Sequence, residues 1–266
     1  MSHQIRKLES ALGTQLFRRT TRQVALTDSG RALLARCAPL VQGIDDSLGA
    51  VGSPSSELTG RIRISAPVDH LAQLIAPAIS AFARLHPRLH IELPASDRIQ
   101  DLITEGIDVS IRVGWLKDSS LRVTRLGEFH QGVLASRSYL RRKGPILAPA
   151  ELAEHEWIAL TLLRAPLTWT FSKGAERVPV RMTAQIRTDS PTALRALLIE
   201  GAGTSIVNLD VYRRELDTGG LVHVLPDWKL PSGGIFAVFP PGTHVAPASR
   251  IFGEHLRARM QSGNSA

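Results

Sequence analysis

The sequence predicts an α/β protein whose larger part is divided into two lobes. Three observations carry that prediction. Short apolar runs alternating with period two recur from residue 61 onward, helical-period runs separate several of them, and the strands are too numerous for one sheet of ordinary width. The 266 residues are also about one and three-quarter times a ~150-residue domain. A content of 43% hydrophobic and 21% charged residues, with a mean hydropathy near zero, gives an ordinary globular interior and excludes global disorder. The apolar stretch from Trp157 to Phe171 is cut by Arg164, and residues 1–13 hold no signal-peptide run, so a cytoplasmic protein with no membrane partner is expected. Cys37 is the single cysteine, which excludes an internal disulfide or a multi-cysteine metal site. No cofactor and no metal are expected.

At the amino end Ile5, Leu8 and Leu12 recur at helical spacing, and Gly13 follows as a stop. Residues 18–26 read as a small hairpin, and Thr27-Asp28-Ser29-Gly30 supplies an N-cap for the next helix. That helix, roughly 28 to 51, sets Leu33, Cys37, Leu40, Ile44, Ser47 and Val51 at alternating steps of four and three. Two readings of this seam stay open: a partner helix, or an amphipathic helix packed on its own domain. Pro39 predicts a kink within it. Ser53-Pro54-Ser55-Ser56 closes the segment as a linker.

The formal charge of +8 is concentrated in the same region. Residues 1–36 carry Arg6, Lys7, Arg18, Arg19, Arg22, Arg31 and Arg36 against Glu9 and Asp28 alone. Such an excess is either a solvated face or a nucleic-acid surface.

From Arg61 the pattern changes. Residues 61–65 alternate as a strand, and Leu71, Leu74, Ile75, Ala78, Ile79, Phe82 and Leu85 follow helical spacing. A strand at Leu89, Ile91 and Leu93, a helix over Ile99 to Gly106 and a strand at Val109, Ile111 and Val113 come next, which predicts a largely parallel sheet. Further strands are expected at 121–126, 131–135, 157–162, 180–188, 204–207, 221–225 and 235–239, and helices at 190–200 and 246–260.

Catalytic signatures are missing. The chain has no Gly-Lys dipeptide, hence no P-loop, and no HExxH, GxSxG or EF-hand pattern. Gly201-Ala202-Gly203 lies after a helix and before a strand, the wrong order for a dinucleotide fingerprint. The nine histidines show no metal-ligand spacing. The expectation is therefore a protein that is not an enzyme. Two strand-to-helix turns carry more information, Ser65-Ala66-Pro67-Val68-Asp69 and Thr188-Asp189-Ser190-Pro191-Thr192. Each leaves helix-start N–H groups that either bind an anion or are capped locally, and Asp69 and Asp189 are expected to cap. With one turn in each lobe, both could converge on a small ligand.

Residues 2–9 (SHQIRKLE), 12–19 (LGTQLFRR) and 26–30 (LTDSG) resemble the recognition helix, turn, wing and linker-helix start of the LysR-type bacterial transcriptional regulators. The resemblance runs on through 60–67 (GRIRISAP), Asp97 to Gly114, Leu126, Gly201, Gly203 and the final helix. It implies an α/β effector domain resembling periplasmic binding proteins, preceded by a linker helix and a partial winged helix-turn-helix. The implied boundaries are 1–27 for the DNA-binding part, 28–58 for the dimerising linker helix and 59–266 for the effector domain. Its lobes would be 60–130 with 233–260, and 131–232.

By the same resemblance Ser2, His3, Arg6, Arg18, Arg19 and Arg22 would face double-stranded DNA. Leu33, Leu40, Ile44 and Val51 would join subunits of a homodimer or homotetramer. A small effector, for which a carboxylate is the family's common choice, would sit against Ala66, Pro67, Val68, Asp69, Val113, Gly114, Trp115, His130, Thr161, Asp189 and Ser190. RNA polymerase is a further implied partner. The chain departs from the pattern in three places. Met1 stands inside the expected recognition helix, implying a start assigned within a longer reading frame; Pro39 interrupts the linker helix; and Asn208 replaces an expected proline. A solute-binding module without effective DNA binding is the alternative reading.

Overall fold

A computed structural model describes residues 3–19, 24–51, 58–115, 121–241 and 245–263. The chain opens with α1 (His3–Leu12), which Gly13 ends in the left-handed region at φ +64°. Strands β1 (Phe17–Arg19) and β2 (Val24–Leu26) pair antiparallel, as the hairpin reading requires. Helix α2 (Asp28–Val51) follows, and Thr27 Oγ1 caps it by accepting the Gly30 N–H at 3.0 Å. The helix assignment is continuous through Pro39. Gly30 is required where α2 passes the preceding turn, because a Cβ there would stand 2.1 Å from the Leu16 carbonyl oxygen. The expected linker at 53–56 lies outside the described residues.

The first lobe begins with β3 (Gly60–Ser65), then a helical run made of α3 (Val68–His70), a π-turn (Leu71–Ile75) and α4 (Ala76–Leu85). Strands β4 (Leu89–Glu92), β5 (Val109–Gly114) and β6 (Arg122–Phe129) follow. The second lobe holds β7 (Gln131–Ser136), α5 (Arg137–Lys143), β8 (Trp157–Leu160), the antiparallel pair β9 (Thr168–Lys173) and β10 (Glu176–Arg181), and β11 (Ala184–Thr188). It continues through α6 (Pro191–Ile199), β12 (Thr204–Asn208), α7 (Arg213–Asp217) and β13 (Leu221–Val224). The chain then returns to the first lobe for β14 (Gly233–Phe239) and α8 (Pro247–Gly263).

Each lobe is built on a five-stranded sheet, in the orders β4-β3-β5-β14-β6 and β11-β8-β12-β7-β13. Both sheets are mixed, which corrects the expectation of a largely parallel one. In the first, β3 pairs parallel with β4 and β5 while β14 runs antiparallel to β5 and β6. In the second, β8 pairs parallel with β11 and β12 while β7 runs antiparallel to β12 and β13. The expected helix over Ile99 to Gly106 is a set of turns instead. Asp101 Oδ1 accepts the Ile103 and Thr104 N–H groups, each at 2.9 Å, and Gly106 sits at φ +61°.

Burial explains the apolar runs. The first sheet packs Ile62, Ile64, Val109 and Ile111 with Phe82 of α4 and Phe252 and Leu256 of α8, and the two phenylalanine rings meet edge-on at 5.2 Å. The second sheet is covered on both faces. Val133, Ala135, Trp157 and Ala159 enter one core, whereas the intervening Leu134 and Ile158 enter another with Leu194 and Leu198 of α6. Continuous apolar strands are the expected consequence of two covered faces.

Candidate functional site

The expected ligand residues begin where β3 ends. Ala66 forms an isolated bridge with Ala95, Ser96 N–H bonds the Ala66 carbonyl at 3.1 Å, and Ser65 Oγ hydrogen-bonds Gln100 Oε1. The first helical N–H, that of Val68, is taken by Asp97 Oδ1 at 3.0 Å. In the second lobe the Thr161 N–H and hydroxyl both donate to the Thr188 carbonyl, at 2.8 and 3.2 Å. Ser190 Oγ caps α6 by accepting the Ala193 N–H at 3.2 Å. The caps are thus Asp97 and Ser190, and the expectation that Asp69 and Asp189 cap these helices is corrected. Asp189 is exposed and has no hydrogen-bond or ionic partner among the described residues.

Asp69 reaches across to the other lobe. Its Oδ1 and Oδ2 accept Arg195 Nε and Nη2 at 3.2 and 3.1 Å, a bidentate pair between α3 and α6. Arg195 also donates to Glu215 Oε1 at 2.5 Å and to the Val211 carbonyl at 2.8 Å, and lies 4.1 Å from the centroid of the Tyr212 ring. Burial opposes its charge, but the Asp69 and Glu215 carboxylates outweigh that and raise its pKa above the ordinary arginine value. Beside it Asn208 Nδ2 lies 3.2 Å from His70 Nε2. An amide nitrogen can only donate, so the imidazole nitrogen accepts and the ring is neutral. Burial agrees with this, lowering the His70 pKa to about 4.

The remaining expected residues gather at the crossover between lobes. Trp115 donates its indole N–H to the Ser232 carbonyl at 2.8 Å and meets Phe129 edge-on at 6.0 Å. Val113 and Gly114 pair with Ile235 and Gly234, and the His130 carbonyl accepts the Leu209 N–H at 3.0 Å while its side chain is exposed. An open groove of about 320 Å³ is lined by Trp115, Leu163, Arg164, Thr168, Thr170 and Pro231, among others. Only Trp115 of these was expected. A second groove, about 370 Å³, lies on the first lobe beside Ile99, Leu102 and Arg112, away from the expected residues.

The structure therefore sets Asp69 of the first strand-to-helix turn against Arg195 of α6, the helix that follows the second, and Trp115 and His130 at the crossover. Sequence reasoning missed Arg195, Asp97 and Arg164. The first had a visible signal, a lone arginine inside the apolar helix segment Leu194-Arg195-Ala196-Leu197-Leu198.

In the amino-terminal unit, Glu9 Oε1 accepts the Leu16 and Phe17 N–H groups at 2.8 and 3.2 Å, tying α1 to the hairpin. Arg6 and Arg18 are exposed; His3 and Arg19 lie in α1 and β1; Ser2 and Arg22 fall outside the described residues. Along α2, Leu34, Leu40, Val41 and Ile44 are all more than half exposed, so the apolar face is wider than the expected seam. Leu33 is half-buried, and Val51 ends the helix. Among the described residues no helix is long and apolar enough to cross a membrane.

A basic hairpin-and-helix unit, a long helix with an uncovered apolar face and a two-lobed α/β domain define a DNA-binding regulator with an effector-binding domain. Comparison with known proteins agrees. Residues 55–261 match the LysR substrate binding domain, and residues 1–31 match the lysR family of bacterial regulatory helix-turn-helix proteins. The chain belongs to the LysR family of transcriptional regulators. It is 37% identical over 260 residues to the HTH-type transcriptional regulator PtxR of Pseudomonas aeruginosa, covering 98% of this chain and 83% of that one. It is similar in structure to CrgA of Neisseria meningitidis, with a TM-score of 0.70 and 25% identity, and to the Vibrio cholerae virulence activator AphB, with 0.65 and 28%. Each alignment covers 96% of this chain and 87% of the other.

Proposed function

We propose that this regulator responds to a small organic acid held between the lobes and performs no catalysis itself. The reading rests on one observation: α3 and α6, one from each lobe and each following a strand-to-helix turn, meet at the Asp69–Arg195 pair. A ligand seated against Ala66, Pro67, Val68, Thr161 and Ser190, with Val113, Gly114, Trp115 and His130 toward the crossover, touches both lobes at once. Asp69 borders this position. Its carboxylate is already matched by Arg195, so it offers no open charge to a cationic ligand. Asp189 is solvent-exposed, where its repulsion of an anion is screened.

On this reading residues 1–27 contact double-stranded DNA through Ser2, His3, Arg6, Arg18, Arg19 and Arg22. Residues 28–58 join subunits into a homodimer or homotetramer, and 59–266 bind effector. The site of action is the cytoplasm, with RNA polymerase as a further partner. A thermal-shift screen of small organic acids tests the effector. A true ligand at 100 times its Kd stabilises by about 2.7 kcal/mol. A gel-shift titration against DNA upstream of the gene tests the rest. Binding weakens as salt rises, and Arg18→Ala lowers the magnitude of the log–log salt slope by about 1. Ligand binding with no DNA shift at low salt leaves the solute-binding reading instead.

A further inference from the structure

The two lobes are joined covalently at one end only, by the β6–β7 and β13–β14 crossovers. Beside the first of these, where the Leu209 N–H bonds the His130 carbonyl, α3 and the π-turn of the first lobe rest on α6 and the Leu209–Tyr212 turn of the second. Two polar pairs and the Leu74 side chain contribute to the contact. Asp69 and Arg195 form its center, at 4% and 9% exposure. His70 and Asn208 form a second bond across it, and Leu74 packs against the cores of both lobes. Arg195 itself is fixed from within its own lobe by Glu215, the Val211 carbonyl and the Tyr212 ring, so its guanidinium is presented to Asp69 already oriented.

We propose that Arg195 is a positioning residue, a latch that sets the separation of the lobes across the cleft. An ion pair suits such a role. When the lobes part, both charges regain water, which offsets much of the lost attraction, whereas an apolar seam of similar size would oppose opening throughout. Asp69 adjoins Val68, whose amide Asp97 holds, so release of the latch is felt at the strand-to-helix turn where the proposed effector sits. The physiological use of the latch rests on that effector reading; the latch itself does not.

The test is a distance measurement by pulsed electron spin resonance on the full chain without ligand. Cys37→Ser removes the native thiol, Arg84→Cys and Glu176→Cys carry one spin label in each lobe, and excess unlabelled chain suppresses distances between subunits. Asp69→Asn and Arg195→Lys are expected to shift or broaden the distribution. Lys173→Gln, which breaks the exposed Lys173–Asp227 pair within the second lobe and touches neither Asp69 nor Arg195, is expected to keep the parent distribution. A parent-like distribution in both Asp69→Asn and Arg195→Lys overturns the latch. So does an equal change in Lys173→Gln, which would mark the effect as a general response to altering a charge in the second lobe. If Asp69→Asn lacks a cooperative melt, Arg195→Lys alone decides. Because no effector is added, failure of the effector screen leaves this outcome readable.

Discussion

Tyr139 donates its phenolic proton to Glu156 Oε2 at 2.6 Å and accepts the Glu156 amide N–H at 3.0 Å. A hydroxyl has one proton to give, so His155 Nδ1, 2.9 Å away, is a donor, which fixes the proton on that ring nitrogen. The bond from Tyr139, followed by that from Lys143, holds the Glu156 carboxyl at about 2, below its ordinary 4.5. A depressed carboxylate contributes stability that is present above about pH 4.5 and lost as pH falls through about 2. Tyr139→Phe should therefore destabilise the second lobe by about 1–3 kcal/mol at neutral pH. It should also flatten the loss of stability between those two pH values. Urea melts across that range check both, and an unchanged pH slope would remove this bond as the cause.

Gly30→Ala tests the close approach of α2 to the amino-terminal turn. The new methyl meets the Leu16 backbone carbonyl rather than a movable side chain, so α2 must shift. The expected cost is roughly 1–3 kcal/mol, local to the amino-terminal unit. Hydrogen exchange should show faster exchange at Thr27 and Gly30, with the two lobes unaffected. Parent-like protection there would mean that the turn yields without strain.

The exposed face of α2 predicts self-association. Leu40→Glu with Ile44→Glu should weaken it by several kcal/mol, at about 1.5–3 kcal/mol for each buried aliphatic side chain. Sedimentation velocity over a concentration series reads this directly. A chain beginning at Gly60 is the control for any contact made by the two-lobed domain alone. An unaltered oligomer in the double variant would exclude α2 from the interface.

Ser190→Trp places bulk at the proposed ligand position, but it also removes the α6 cap. Its unliganded melting point should therefore fall, by the equivalent of about 1 kcal/mol. Ser190→Ala loses the cap without adding bulk. The ligand-induced thermal shift should survive in Ser190→Ala and vanish in Ser190→Trp, and a shift retained by both would take Ser190 out of the site.

Strands such as β3 were legible because Ile62 and Ile64 alternate with Arg61 and Arg63, and a half-covered strand writes its period into the sequence. The turns at 99–106 were misread for the opposite reason. Leu102 is buried, yet Ile99 is 86% exposed, so the apolar pattern there does not mark one buried face. The β9–β10 hairpin went unread because Trp169, Phe171, Val178 and Val180 pack on a core assembled from distant segments. Strand direction left no trace in composition. The Asp69–Arg195 pair joins residues 126 positions apart, and only Arg195's place in an apolar helix hinted that it needed a buried partner.

The placement of β14 also constrains the order of assembly during synthesis. This strand fills the gap between β5 and β6, yet it leaves the ribosome only after the whole of the second lobe. Strands β7 to β13 can close on one another while β5 and β6 still wait with Ile111 and Leu126 uncovered. Only when Ile235 and Ala237 arrive, followed by Phe252 and Leu256 of α8, does the first lobe acquire its interior. A long-lived unpaired strand is an aggregation hazard. A nascent chain stalled before residue 233 should therefore carry a finished second lobe behind an unfinished first one, and be bound by chaperones through the earlier-made half.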